Sequence, residues 1–213
     1  MVKILAINGS HRKGKNTWSL LAAVLEGAKE MGASTELIEL VDYNIKPCQG
    51  CNCCLKKPQC SITDDDMGFL GKKLLEADGI VFGSPVYFAN VSGLMKIFMD
   101  RTRWLYLAKN MLSGKVGAAV TNAALRNGGQ ELAHIILERF ITMHGMILAS
   151  SRDPVGQVYN GGAMGSLFQA MERSGPMQWR RSVEEDEVAI RECHQLGRNV
   201  VRLAERVTPF RTS

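Results

Sequence analysis

The 213 residues include no apolar run of 18, so no segment reads as a helix across a bilayer. Neither sign of charge dominates. The 26 Lys and Arg face 21 Asp and Glu, and the resulting +5 is too small for the basic stripe of a nucleic-acid binder. Internal repeats, low-complexity tracts and interdomain linkers are absent. A charged fraction of 22% beside 46% hydrophobic excludes a disordered chain. There is no G-x-S-x-G elbow of the serine hydrolases. Met1-Val2-Lys3 runs straight into a strand-like segment without the pattern of a secretory leader, so a cytoplasmic protein is expected. The length suits one α/β domain over residues 1–213 and suffices to bury a core without staples.

Cysteine, by contrast, is concentrated. Five of the six (Cys48, Cys51, Cys53, Cys54, Cys60) fall in one stretch, and Cys193 stands alone. Disulfide frameworks spread their cysteines through short secreted chains. A tight group in a longer chain points instead to metal, cluster or redox chemistry.

Apolar runs at 2–7, 35–40, 79–83, 116–121 and 146–149 read as strands. Helical patterns follow each: from Asn16 to about Gly32, from Asp64, from about Val91 to Leu107, from Gln130 through Phe140, and from Glu184 to Arg206. This alternation predicts a doubly wound, five-stranded parallel sheet with helices on both faces. Two stretches fit no element: the cysteine loop at 44–63 and a Gly-rich, irregular loop at 150–183.

Ligands of such sheets bind beyond the carboxyl ends of the strands, at the point where strand order reverses. Three strand-to-helix loops are equipped for this. The first, Gly9 to Thr17, joins Arg12, Lys13 and Lys15 to a helix start whose N–H groups suit a phosphate. It nearly matches the nucleotide P-loop, but Asn16 stands where a hydroxyl should ligate magnesium, and no strand ends in a metal-binding Asp. The second, Ser84 to Asn90, carries Tyr87 and Phe88 at its apex, where an aromatic cofactor can stack. The third, Ala123 to Gln130, has Gly128 and Gly129 for close backbone approach to a flat ligand, with Arg126 beside them.

Together, N-G-S-x-R-x-x-x-N-T (Asn8 to Thr17), G-S-P-V-Y-F (Gly83 to Phe88) and R-N-G-G-Q-E (Arg126 to Glu131) resemble the flavodoxin-like NAD(P)H-dependent FMN reductase superfamily over most of residues 1–150. The resemblance implies that Ser10, Arg12, Asn16 and Thr17 hold the FMN phosphate. It implies that Pro85, Val86, Tyr87, Phe88 and Asn90 border the ribityl chain and ring. Thr121, Arg126, Asn127, Gly128 and Gly129 would close the other edge. No protein acid or base is implied, because the flavin carries the chemistry.

Cys48, Cys51, Cys54 and Cys60 are spaced C-x2-C-x2-C-x5-C, which suits three corners of a [4Fe–4S] cube plus a fourth thiolate. Spacing and position after the second strand resemble the iron–sulfur flavoprotein branch of the superfamily. Cys53 would then point away. A structural zinc and a redox-active or inert thiol loop are the alternatives. The resemblance implies an oxidoreductase passing electrons from ferredoxin or NAD(P)H to a small acceptor such as a quinone, oxygen or flavin. It implies a homodimer or homotetramer, with no nucleic-acid or membrane partner. A cluster-free NAD(P)H:FMN or quinone reductase and a flavodoxin-type carrier are the rival functions. Asp64-Asp65-Asp66 reads as a helix cap. His134, His144 and His194 read as structural, and Tyr159 to Gly162 as a segment within reach of a flavin.

Overall fold

Residues of β1 (Lys3–Asn8) alternate between two cores. Ile4 and Ala6 belong to one, Leu5 and Ile7 to the other, as in a strand covered on both faces. The computed structural model describes residues 1–153 and 162–211. β1 lies between β2 (Ser34–Glu39) and β3 (Gly79–Tyr87), and β3 pairs onward with β5 (Val116–Ala123), all parallel. β6 (Ile147–Leu148) completes the order β2-β1-β3-β5-β6. This is the five-stranded, doubly wound, flavodoxin-like arrangement expected, with its switch between β1 and β3.

One face is covered by α1 (Asn16–Glu30) and α6 (Glu187–Arg211), the other by α2 (Met67–Glu76), α3 (Gly93–Arg101) and α5 (Gln130–Met143). α1 and α6 touch backbone to backbone. A Cβ on Gly27 would sit 2.1 Å from the His194 carbonyl oxygen, and one on Gly197 1.9 Å from that of Val24. The two glycines are what allow this close crossing.

Several boundaries differ from expectation; the helices expected from Asp64 and Glu184 start at Met67 and Glu187, and the larger differences have tertiary reasons. β3 runs on to Tyr87 because Val86 and Tyr87 pair antiparallel with β4 (Asn90–Val91), so the second loop is the tip of a hairpin. The helix expected over 91–107 begins after Ser92, whose hydroxyl caps the Met95 N–H at 3.0 Å. It is interrupted at Thr102, beyond which a short α4 (Arg103–Tyr106) follows. The fifth strand shrinks to Ile147–Leu148, and the upper part of its lane is filled by β7 (Met164–Ser166), which pairs with Thr121 to Ala123. The stretch expected to be irregular therefore contains β7 and a hairpin of β8 (Phe168–Met171) and β9 (Met177–Trp179).

Register brings the strand ends level. Asn8 sits opposite both Glu39 and Gly83, Ser84 opposite Thr121, and Pro85 opposite Asn122. The loop after β1, the hairpin after β3 and the loop after β5 thus leave one edge of the sheet.

Candidate functional site

The first loop is fixed from below by Asn8, fully buried at the end of β1. Its Oδ1 accepts the Ser10 N–H at 2.9 Å and its Nδ2 donates to Glu39 at 3.1 Å. Glu39 also accepts the Gly14 N–H at 3.2 Å, and the Ser10 hydroxyl accepts the Arg12 N–H at 3.0 Å. Gly14 turns at φ +63°, with open space where a side chain would stand. α1 starts with no side-chain cap at Lys15 and no acidic residue in its first turn. Its free N–H groups and dipole therefore present an uncompensated anion seat. Arg12 is exposed beside it. Lys13 is turned away to Asp42 at 2.5 Å, and that hydrogen bond raises its pKa. The Asn16 and Thr17 side chains serve the interior. Asn16 accepts the Val183 N–H at 3.3 Å, and the Thr17 hydroxyl donates to Asn122 at 2.7 Å.

The hairpin is tied to that loop. Ser92 donates to the Gly9 carbonyl at 2.5 Å, and its N–H donates to the Ser84 hydroxyl at 2.9 Å. Phe88 and Ala89 form the tip in left-handed conformations, φ 49° and 58°. Such a tip matches the strand twist but is one that Asn-Gly adopts more readily. Gly129, at φ +94°, lies against it: a Cβ there would be 2.7 Å from the Ala89 Cα. The close approach provided by the glycine is thus to the hairpin. The His11 ring stacks on Tyr87 with centroids 6.0 Å apart. Phe88 is fully exposed.

Buried Gln130 shapes the third loop. Its Oε1 accepts the Gly128 N–H at 2.8 Å, and its Nε2 donates to the Leu125 and Arg126 carbonyls at 2.8 and 3.2 Å. Thr121 donates to the Gln130 carbonyl at 3.2 Å. Arg126 and Asn127 line a cleft of about 480 Å³ with Ser166 and Phe168. Of the segment from Tyr159 to Gly162, the first three residues lie outside the described ones. A Cβ on Gly162 would meet the His134 ring at 2.7 Å.

Cys48, Cys51, Cys54 and Cys60 all line one small pocket of about 20 Å³, with Arg101, Arg103 and Trp104 behind them. Cys53 does not line it. Every cysteine is a free thiol, and Cys48, Cys51 and Cys53 are exposed. The Cys51 sulfur lies 3.0 Å from the Ser61 hydroxyl. That hydroxyl, with the Cys53 N–H, lowers its pKa to about 7, towards the thiolate form that ligates metal. Among the described residues, no three Cys, His, Asp or Glu side chains converge as ligands of a single ion. The donor set fits an iron–sulfur group: four thiols and no imidazole around one pocket.

The acidic triplet does more than cap a helix. Asp66 accepts the Asn44 N–H at 2.7 Å and Asp65 the Lys46 N–H at 3.0 Å, while Asp64 pairs with Lys46. Burial alone would raise Asp65, but the Arg101 guanidinium and the Lys46 and Met67 N–H groups hold its carboxyl below the ordinary value.

The family model of NADPH-dependent FMN reductase matches residues 2–157. An iron–sulfur flavoprotein of Archaeoglobus fulgidus is 40% identical over 212 residues, the whole of both chains. Another, of Methanocaldococcus jannaschii, is 43% identical over 164 residues, 77% of this chain and 83% of that one. The chain belongs to the NADPH-dependent FMN reductase family, in its iron–sulfur flavoprotein branch. It is a flavin-dependent oxidoreductase. The solved structure of a WrbA-like flavodoxin from Agrobacterium tumefaciens, 20% identical, superposes with a TM-score of 0.61 over 98% of this chain and all of its own, which shows the shared fold. No helix among the described residues is long and apolar enough to cross a membrane.

Sequence reasoning for this reductase missed Arg101 and Ser92 as parts of the site. Ser92 is followed three residues on by Met95 rather than the acid of a capping box, and Arg101 sits in an unremarkable helical pattern. Their roles arise from partners far away in sequence.

Proposed function

We propose that this oxidoreductase binds FMN at the carboxyl edge of its sheet and holds a [4Fe–4S] cluster through Cys48, Cys51, Cys54 and Cys60. The observation that carries the reading is the shared pocket: the four cysteines of the C-x2-C-x2-C-x5-C spacing line it, and the fifth cysteine of the loop does not. A lone zinc ion needs four donors about 2.3 Å from one point. Zinc held by the same thiols is therefore told apart from a cluster by metal and sulfide analysis.

When bound, FMN accepts a hydride or single electrons, and the cluster supplies single-electron transfer. The protein's part is to bind and orient. The uncapped first turn of α1, at Asn16 and Thr17, takes the phosphate, with Arg12 as countercharge and the Ser10 turn shaping the loop around it. Thr17 acts through its backbone, since its hydroxyl is committed to Asn122. Pro85, Val86, Tyr87, Phe88 and Asn90 form one wall, and Thr121, Arg126, Asn127, Gly128 and Gly129 the other. No side chain is asked to move a proton. Reduced ferredoxin or NAD(P)H is the donor class, and a quinone, oxygen or free flavin the acceptor class. The assembly is a homodimer or homotetramer working in the cytoplasm.

Alanine at Cys48, Cys51, Cys54 or Cys60 is expected to reduce iron in the anaerobically purified protein from about four per chain to near none, with FMN retained. Cys53→Ala is expected to keep it. Equal iron in all five variants contradicts the reading. A second reading, a cluster-free NAD(P)H:FMN or quinone reductase, draws on the small volume of the pocket as it stands, about 20 Å³. Full turnover with NADPH by iron-free protein would favour it.

A further inference from the structure

Arg101 is 1% exposed, among the most buried large side chains of the protein, yet it lines the cysteine pocket. Its guanidinium reaches both stems of the cysteine loop. One terminal nitrogen donates to the Lys46 carbonyl at 2.6 Å, just before Cys48, and the other to the Ile62 carbonyl at 3.4 Å, just after Cys60. Both also donate to Asp65, which itself accepts the Lys46 N–H. Cys60 lines the same pocket as the guanidinium. The Nε–H is buried and has no partner among the described residues. A buried charge that keeps one donor free beside four thiols is costly unless something accepts from it.

From this geometry we infer that Arg101, braced by Asp65, is a positioning residue of the cysteine loop, closing its two stems and keeping a fixed positive charge and one spare donor against the group the thiols hold. The inference rests on the cluster reading for what occupies the pocket, but not for the closing of the stems. Closure places Cys48 and Cys60, the first and last thiols, at one site before any iron arrives, so less ordering remains to be done on assembly. The charge favours the more negative, reduced state of an anionic iron–sulfur group, and hydrogen bonds to its sulfurs act in the same sense. Lys at position 101 keeps the charge but cannot reach two carbonyls and a carboxylate at once.

The test compares wild type, Arg101→Lys and the double variant Arg101→Met with Asp65→Leu, each as full-length protein purified without oxygen. The double change removes both charges together, so no buried ion is orphaned and the chain keeps its fold, which FMN content and a cooperative melt verify. Two readouts are taken. Trypsin cleavage after Lys56, exposed within the loop, is expected to speed up at least tenfold in the double variant and less in Arg101→Lys. The midpoint potential of the cluster, by redox titration with paramagnetic resonance, is expected to move negative in the double variant, because Arg101 lines the pocket and the Asp65 carboxylate removed with it does not, and to stay near wild type in Arg101→Lys. Unchanged cleavage overturns the clamp, and an unchanged potential overturns the role of the charge. If wild-type protein carries no iron or sulfide, the cluster reading falls and with it the charge role, while the cleavage rates still decide the clamp.

Discussion

His144 shows how a titratable side chain can be committed to the interior. Its Nε2 lies 2.9 Å from the Thr102 hydroxyl, whose own proton goes to the Met99 carbonyl at 2.7 Å. The ring therefore donates through Nε2, and its Nδ1 is buried with no partner among the described residues. Burial lowers both His144 and His134 to about 4. In the unfolded chain both titrate near 6.5. As pH falls below 6.5 the unfolded state takes up protons first, so stability is flat above that value and is lost between 6.5 and 4, by at most about 3 kcal/mol per ring. Urea unfolding of wild type should show this loss, and the His134→Gln, His144→Gln double variant should show much less of it. At Gly129, a methyl group meets both a positive φ and the Ala89 backbone at 2.7 Å. Gly129→Ala should displace the hairpin tip, costing about 2 kcal/mol of stability and weakening FMN binding about tenfold, read by quenching of flavin fluorescence. At this scale the sequence was half legible. The paired glycines announced a close approach, but nothing local said that Ala89 was the neighbour. Phe88 and Ala89 avoid left-handed backbone on their own, so their conformations follow from tertiary context.

Among the elements, α1 and α6 depend on Gly27 and Gly197 as much as on their apolar stripes. Gly27→Ala should force the helices apart and cost about 1–3 kcal/mol in chemical denaturation. It should leave FMN affinity near wild type, because α1 enters the proposed phosphate seat at its other end. The periodicity of both helices was plain in the sequence, whereas their contact distance was not, since it depends on two glycines 170 positions apart. The cysteine loop divides in the same way. Its thiol spacing was legible, and the four cysteines of that spacing line one pocket. The parts that close its stems, Arg101 and Asp65, lie on separate elements and gave no joint signal. The Asp triplet looked like a helix cap, and Asp65 does accept the Met67 N–H at the start of α2, but the triplet also anchors Asn44 and Lys46, because the loop must return to its starting point before α2 begins.

Across the whole molecule, strand order and the use of one edge for ligand loops followed from the alternation of strands and helices, which permits few topologies. The divided fifth lane did not. β6 and β7 are too short to show a period, and each is a strand only because β5 offers it partners. The same edge gathers the anion seat, the aromatic hairpin and the third loop. Their ties run through Ser92 to Gly9, Thr17 to Asn122 and Gly129 against Ala89. The central claim is that this flavin-binding edge works together with a filled cysteine pocket. Iron, sulfide, zinc and FMN analysis of the full-length protein purified without oxygen tests it most directly. The account predicts one FMN, about four irons and about four sulfides per chain. FMN with no iron, or with one zinc per chain, would contradict it.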